Sequence, residues 1–263
     1  MQWPTRSEFT ELRRGLPALA AVLVLAALWF PMWSIEVHAV QYPDTVLYLR
    51  LYAYPHIAGD YTEMARLNHY IGFYYPDPVY WQPNYEPHPR AIDVPEWSLG
   101  VLAFLGVAAT NVFVSLAPTV EKLKRGLTGQ LVGTAVVFGV MLADIQYRLY
   151  QAGHTLDPDA PVMGVDGFTP PLVGTYEVAN ITSYSRLGAG AYLTIAAVGL
   201  LVVAFACRNT DATITDLPRL VRGLPDAVRR RLPGGPQRGR PTEPPTEPPA
   251  DDEATRTDFG GGD

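Results

Sequence analysis

The sequence predicts an all-α membrane protein: four transmembrane helices, a small irregular α+β extracytoplasmic region built from two long loops, and a disordered C-terminal tail. Three observations lead there. Of 263 residues, 48% are hydrophobic and 17% charged, and the apolar ones gather in four blocks of roughly 17–23 residues. Such blocks are long enough to cross a bilayer core of about 30 Å at about 1.5 Å per residue. Lys and Arg are distributed unequally between the segments joining the blocks, and the two longest joining segments are rich in Tyr, His and Pro.

In chain order, residues 1–15 form a cytoplasmic N-terminus, and the first span covers 16–35 with Pro31 near its far end. Outer loop 1 takes 36–96, the second span 97–116, and a cytoplasmic turn 117–126. The third span with its outward extension runs over 127–150, outer loop 2 over 151–186, and the fourth span over 187–207. Lipid offers no partner to bare backbone groups, so spans of this length should be helical. Asn111 and Gln130 are expected to hydrogen-bond between helices, and Gly188, Gly190, Ala191 and Gly199 to let a neighbouring helix approach closely.

Positive charge orients the spans. Fifteen Lys and Arg fall on the side of the two termini and the 117–126 turn, against five on the side of the long loops. The protein is therefore expected in the cytoplasmic membrane, multi-pass, with both termini cytoplasmic and the bilayer as its first partner. A cleaved signal peptide competes, since Arg13-Arg14, an apolar run and Val37-His38-Ala39 have its layout. The apolar stretch is longer than such peptides carry, and Trp29, Pro31 and Trp33 stand where small residues would be expected.

Outer loop 1 holds ten of the fifteen tyrosines and four of the five histidines. Residues 45–52 (TVLYLRLY) read as a strand. Asp60 and Glu63 have capping-box spacing ahead of Met64, Leu67 and Ile71, which predicts a short helix over 60–71. Residues 76–95 carry six prolines and should form an irregular connector, as should the Pro- and Gly-rich outer loop 2. Beyond the last span, 208–233 reads as a basic amphipathic juxtamembrane segment interrupted at Pro225. Residues 234–263, with TEPP repeated at 242–245 and 246–249, cannot bury apolar area and read as disordered.

The chemistry-bearing residues are few. A single cysteine, Cys207, excludes an internal disulfide and a multi-cysteine metal cage. The net charge of −6 gives no reason to expect nucleic acid. No phosphate-binding loop, dinucleotide fingerprint or hydrolase elbow is present. All five histidines (38, 56, 69, 88 and 154) lie on the outer side. His69, His154 and Asp157, with Met64 and Met163 as soft donors, could bind copper or another late transition metal. Hydrogen bonds capping a loop account for each histidine as well. Asp144 and Arg148 are spaced for an i,i+4 ion pair near the outer interface.

Gln41-Tyr42-Pro43 after the first span, followed by Leu67-Asn68-His69-Tyr70-Ile71-Gly72, is similar to the "APQYP…LNHYIGM" pattern of an uncharacterised family of multi-pass membrane proteins. The segment from Gly153 through His154, Asp157 and Pro158 to Ala160, then Pro170, Pro171 and Gly174, then Asn180 to Thr182, resembles that family's "GHxLDPxAxI…QPPLIG…NFT". Phe73 stands where the family has methionine, and Val40 where it has proline. The resemblance spans 35–192 and implies a setting rather than a mechanism, because members are often encoded among nitrous oxide reductase accessory genes. It implies a non-enzymatic accessory protein that aids copper handling or assembly of an extracytoplasmic copper enzyme such as nitrous oxide reductase, whose maturation proteins would be partners. The alternative is a metal-free structural or interaction subunit of a membrane complex. Catalysis would need a positioned acid–base set that the sequence does not display.

Overall fold

A computed structural model describes residues 10–74, 89–162 and 164–216. Its elements are α1 (Leu12–Ala27), β1 (Trp33–Ala39), β2 (Leu47–Leu51), β3 (Ile57–Gly59), α2 (Tyr61–Ile71), α3 (Gly100–Ser115), α4 (Val120–His154), β4 (Gly174–Val178), β5 (Ile181–Leu187) and α5 (Ala189–Ala206). Short 3-10 turns cover Pro95–Leu99 and Ile214–Asp216.

The chain is not all-α. Five strands form one antiparallel sheet in the order β3-β2-β1-β5-β4. Its central strand, β1, takes in residues 33–35, the expected end of the first span, together with the first four residues of the expected outer loop 1. In WSIEVHA, Trp33, Ile35, Val37 and Ala39 are buried while the residues between them are not, a period of two that a helix cannot use. Pro31 separates this strand from α1. Val37-His38-Ala39 pairs with β5 throughout, and Val37 with β2 as well, so cleavage there would delete the centre of the sheet.

Outer loop 2 is likewise more regular than expected. β4 and β5 make a hairpin with Val178 opposite Ile181. The two-residue turn holds Ala179 at φ 53 and Asn180, a positive φ that twists a hairpin turn in the sense its strands need.

Three helices, 95–115 with its 3-10 lead-in, α4 and α5, are long and apolar enough to cross a membrane. α1 has 16 residues. It packs against α3 and α5, and α4 also touches both. Ala20, Ala21, Val24 and Ala27 give α1 a small-residue face, met by Phe104, Val107 and Ala108 from α3 and by Ala197 and Leu201 from α5. Gln130 bridges helices as expected, its Nε2 donating to the Val107 carbonyl at 3.3 Å. Asn111 does not: it is fully buried, and its amide meets no hydrogen-bond partner among the described residues.

Helix ends also differ from expectation. α4 starts at Val120, where Thr119 accepts from the Lys122 N–H, so most of the expected cytoplasmic turn is helix. At its other end α4 runs to His154 rather than Tyr150. α5 begins at Ala189, because Leu187 closes β5 and Gly188 is the N-cap. α1 takes in Arg13 and Arg14, both buried. Arg14 Nη1 donates to the carbonyls of Ser115 (3.1 Å) and Ala117 (2.8 Å), satisfying groups that the end of α3 leaves open. Arg13 pairs with Glu11 and Asp211, and the Leu12 N–H donates to the Ala212 carbonyl. Residues 211–213 therefore lie along the start of α1. The remainder of the basic segment, the TEPP tail, Met163, His88 and most of the proline-rich connector lie outside the described residues.

Candidate functional site

The inner face of the sheet carries the second core, in which Trp33, Ile35, Val37, Leu47, Leu49 and Ile181 meet Met64, Leu67 and Ile71 of α2. Leu149 and Ala152, from the C-terminal end of α4, join the same core. The long α4 thus carries its apolar stripe out of the bundle and into the sheet domain.

α2 begins after Asp60, but no side-chain cap forms. Asp60 Oδ2 instead accepts from the Tyr48 N–H at 2.9 Å and ties the helix start to β2. The helix ends at Gly72, left-handed at φ 75, with the Gly72 and Phe73 N–H groups donating to the carbonyls of His69 and Asn68. This end docks on the segment after α4. The Asp157 N–H donates to the Gly72 carbonyl at 2.9 Å, and the Val162 N–H to the Tyr70 carbonyl at 3.0 Å. A Cβ on Gly72 would stand 2.7 Å from the Asp157 carbonyl oxygen. Gly153 makes a second close approach, since a Cβ there would lie 1.8 Å from the Phe168 carbonyl oxygen, and the Phe168 N–H donates to the Gly153 carbonyl at 3.1 Å. Motif segments separated by some eighty residues are thereby placed side by side.

Around this junction, His69 Nδ1 lies 3.1 Å from the Tyr74 hydroxyl, which donates to Asp157 Oδ2 at 3.2 Å. Asp157 Oδ1 faces Arg90 Nε at 3.4 Å and accepts the Asp159 N–H at 3.1 Å. His69 and Asp157 are therefore joined through one phenol, and both carboxylate oxygens are engaged. His154 is set apart from that chain of bonds: its Nδ1 lies 2.9 Å from the Tyr150 carbonyl and its ring stacks on Tyr150 with centroids 4.1 Å apart. No cluster of three or more His, Cys, Asp and Glu suited to a metal ion occurs among the described residues. Asp157 is engaged by Tyr74, Arg90 and its own turn. Met64 is buried beneath α2.

The remaining motif residues are structural in their placement. Tyr42 packs against the sheet core in the β1–β2 connection, while Gln41 and Pro43 are exposed there. Pro158 sits in the turn after Asp157, Pro170 is buried with Pro171 beside it, and Asn180 occupies the β4–β5 turn. Phe73 is core, stacked obliquely on Phe168 at 5.6 Å, and Phe168 stacks in turn on Tyr176 at 5.9 Å. Burial pushes the Tyr176 phenol above the ordinary tyrosine range, with a Ser183 hydrogen bond pulling the other way.

Arg148 reaches Asp144 at 3.9 Å, but its nearer partner is Glu96, held through both Nε and Nη2. Glu96 lies in the 3-10 turn that leads into α3, so this ion pair fastens the start of α3 to the C-terminal part of α4. Sequence spacing could not reveal a partner 52 residues away. The chain matches no family model, no curated protein and no solved structure.

Proposed function

We propose that the protein is a non-enzymatic accessory protein of the cytoplasmic membrane whose outer sheet domain docks an extracytoplasmic partner. The observation that carries this reading is the double glycine contact, Gly72 on Asp157 and Gly153 on Phe168, which builds one small domain on the outer end of α4. In the reading we favour, α1 is a fourth span. It is about 24 Å long at about 1.5 Å per residue, packs within the bundle and begins at buried arginines. Both termini are then cytoplasmic, in keeping with the fifteen-to-five division of Lys and Arg.

The resemblance to a family encoded among nitrous oxide reductase accessory genes supplies the setting, in which the partner is a copper enzyme or one of its maturation proteins. A metal-free interaction subunit fits the engaged state of Asp157 best. Copper binding remains as a second reading on one observation: with Nδ1 held at the Tyr150 carbonyl, the His154 ring presents Nε2 as its donor nitrogen. Metal analysis of the detergent-purified full chain separates them. Stoichiometric copper that disappears in H69A/H154A supports the copper reading. Equal copper in wild type and double variant leaves the interaction subunit.

A further inference from the structure

We propose that the row Arg50–Ser34–Arg186, on the open face of the sheet, holds the phosphate of an anionic phospholipid headgroup. Ser34 is paired with Arg50 on one side and with Arg186 on the other. All three side chains belong to the face opposite the core, because their neighbours Trp33, Ile35, Leu49 and Ser185 point inward and are buried. The row is the second above the helices, after Leu51–Trp33–Leu187, and the first on the open face. Gly188, one residue beyond Leu187, is the N-cap of α5 and donates to the Met32 carbonyl, while Met32 donates to the Leu51 carbonyl.

A separate observation sets the depth of this row. Trp29 and Phe30, in the connection from α1 to β1, are 73% and 45% exposed. Large aromatics at the end of an apolar helix mark the headgroup level of a bilayer. Arg50 and Arg186 stand a few residues above them, which is where lipid phosphates lie.

The charge pattern agrees. Residues 36–99 and 144–187 hold thirteen acidic and five basic side chains, so an anion has few places on this part of the molecule. Of the other three arginines, Arg90 and Arg148 are paired with acids, and Arg66 sits on α2. Arg50 is exposed and makes no ion pair among the described residues. Arg186 shares Glu36 at 3.1 Å. That glutamate lies two residues farther from the helices, in the next row of the same face, where its charge disfavours an anion. Two arginines separated by one strand, about 10 Å apart at Cα, can converge on a phosphate over the Ser34 hydroxyl.

Native mass spectrometry of the detergent-solubilised full chain, titrated with phosphatidylglycerol, tests the assignment. Bound phosphatidylglycerol should weaken about five-fold for R50Q and about as much again for R50Q/R186Q, with R66Q unchanged. R50Q alone leaves the Arg186–Glu36 pair intact and serves if the double variant fails to fold. Undiminished binding by R50Q would overturn the proposal. So would equal affinity for phosphatidylcholine, or full displacement of the lipid by equimolar inorganic phosphate, which would make the row a free-anion site.

Discussion

The Gly72 carbonyl accepts the Asp157 N–H at 2.9 Å, and the Gly72 Cα is so close to that residue that a Cβ would stand 2.7–2.8 Å from its carbonyl oxygen and nitrogen. One position thus requires glycine twice over, for its φ of 75 and for the backbone that crosses it.

Gly72→Ala should destabilise the outer domain by about 2 kcal/mol or more, combining left-handed strain with the clash. Gly164 has nearly the same φ, 76, with nothing among the described residues within 4 Å of its would-be Cβ. Gly164→Ala should cost only about 1 kcal/mol, the strain alone. Chemical denaturation of both variants in detergent checks the difference, and equal losses would mean that the docking contact adds nothing.

Arg148 and Glu96 should behave as a coupled pair. Both are about one-quarter exposed, so a double-mutant cycle with Arg148→Met and Glu96→Gln is expected to give a coupling energy of about 1 kcal/mol. Additive effects would show that the α3 and α4 ends are held by packing instead.

These two contacts mark where the sequence was readable and where it was not. Met64, Leu67 and Ile71 at helical spacing announced α2, and TVLYLRLY announced β2. β1 was concealed because Trp33, Ile35 and Val37 continue the apolar run of α1, and a hydropathy window does not distinguish a period of two from a helix. β5 was concealed for the opposite reason: ITSYSRL buries Ser183 and Ser185, so its inner face is not apolar. The pairing of β1 with β5 joins residues about 150 apart, a register no local pattern encodes. At the site, the expectation of one region built from both long loops is matched by the contact of Gly72 with Asp157, whereas the engagement of Asp157 by Tyr74 and Arg90 is one that no spacing rule connects to it.

Stability should fall at alkaline pH through Tyr176. Its phenol is raised by burial, so the folded state keeps a proton that the unfolded state releases above about pH 10. The unfolded state then binds fewer protons, and stability declines as pH rises beyond that value. Tyr176→Phe should flatten the decline. Denaturation midpoints between pH 9 and 11 measure it, and an unchanged slope in the variant would assign the loss to other groups.

Topology is expected to follow the charge distribution. An exported reporter fused after Gly167 should be active and one fused after Gly126 inactive. Activity at Gly126 would reverse the orientation proposed for all spans.

At 35 residues, α4 is about 52 Å long at about 1.5 Å per residue, well beyond the roughly 30 Å needed to cross a hydrocarbon core. The same unbroken rod that is apolar enough to cross a membrane supplies Leu149 and Ala152 to the core under the sheet. A helix adapts to a thinner or thicker bilayer by tilting, and here the tilt cannot be absorbed by a hinge, because Leu149 and Ala152 are part of the helix itself. Were α4 to tilt in a thinner or thicker bilayer, the sheet domain would incline with it, because no break separates Leu149 and Ala152 from the rest of the helix.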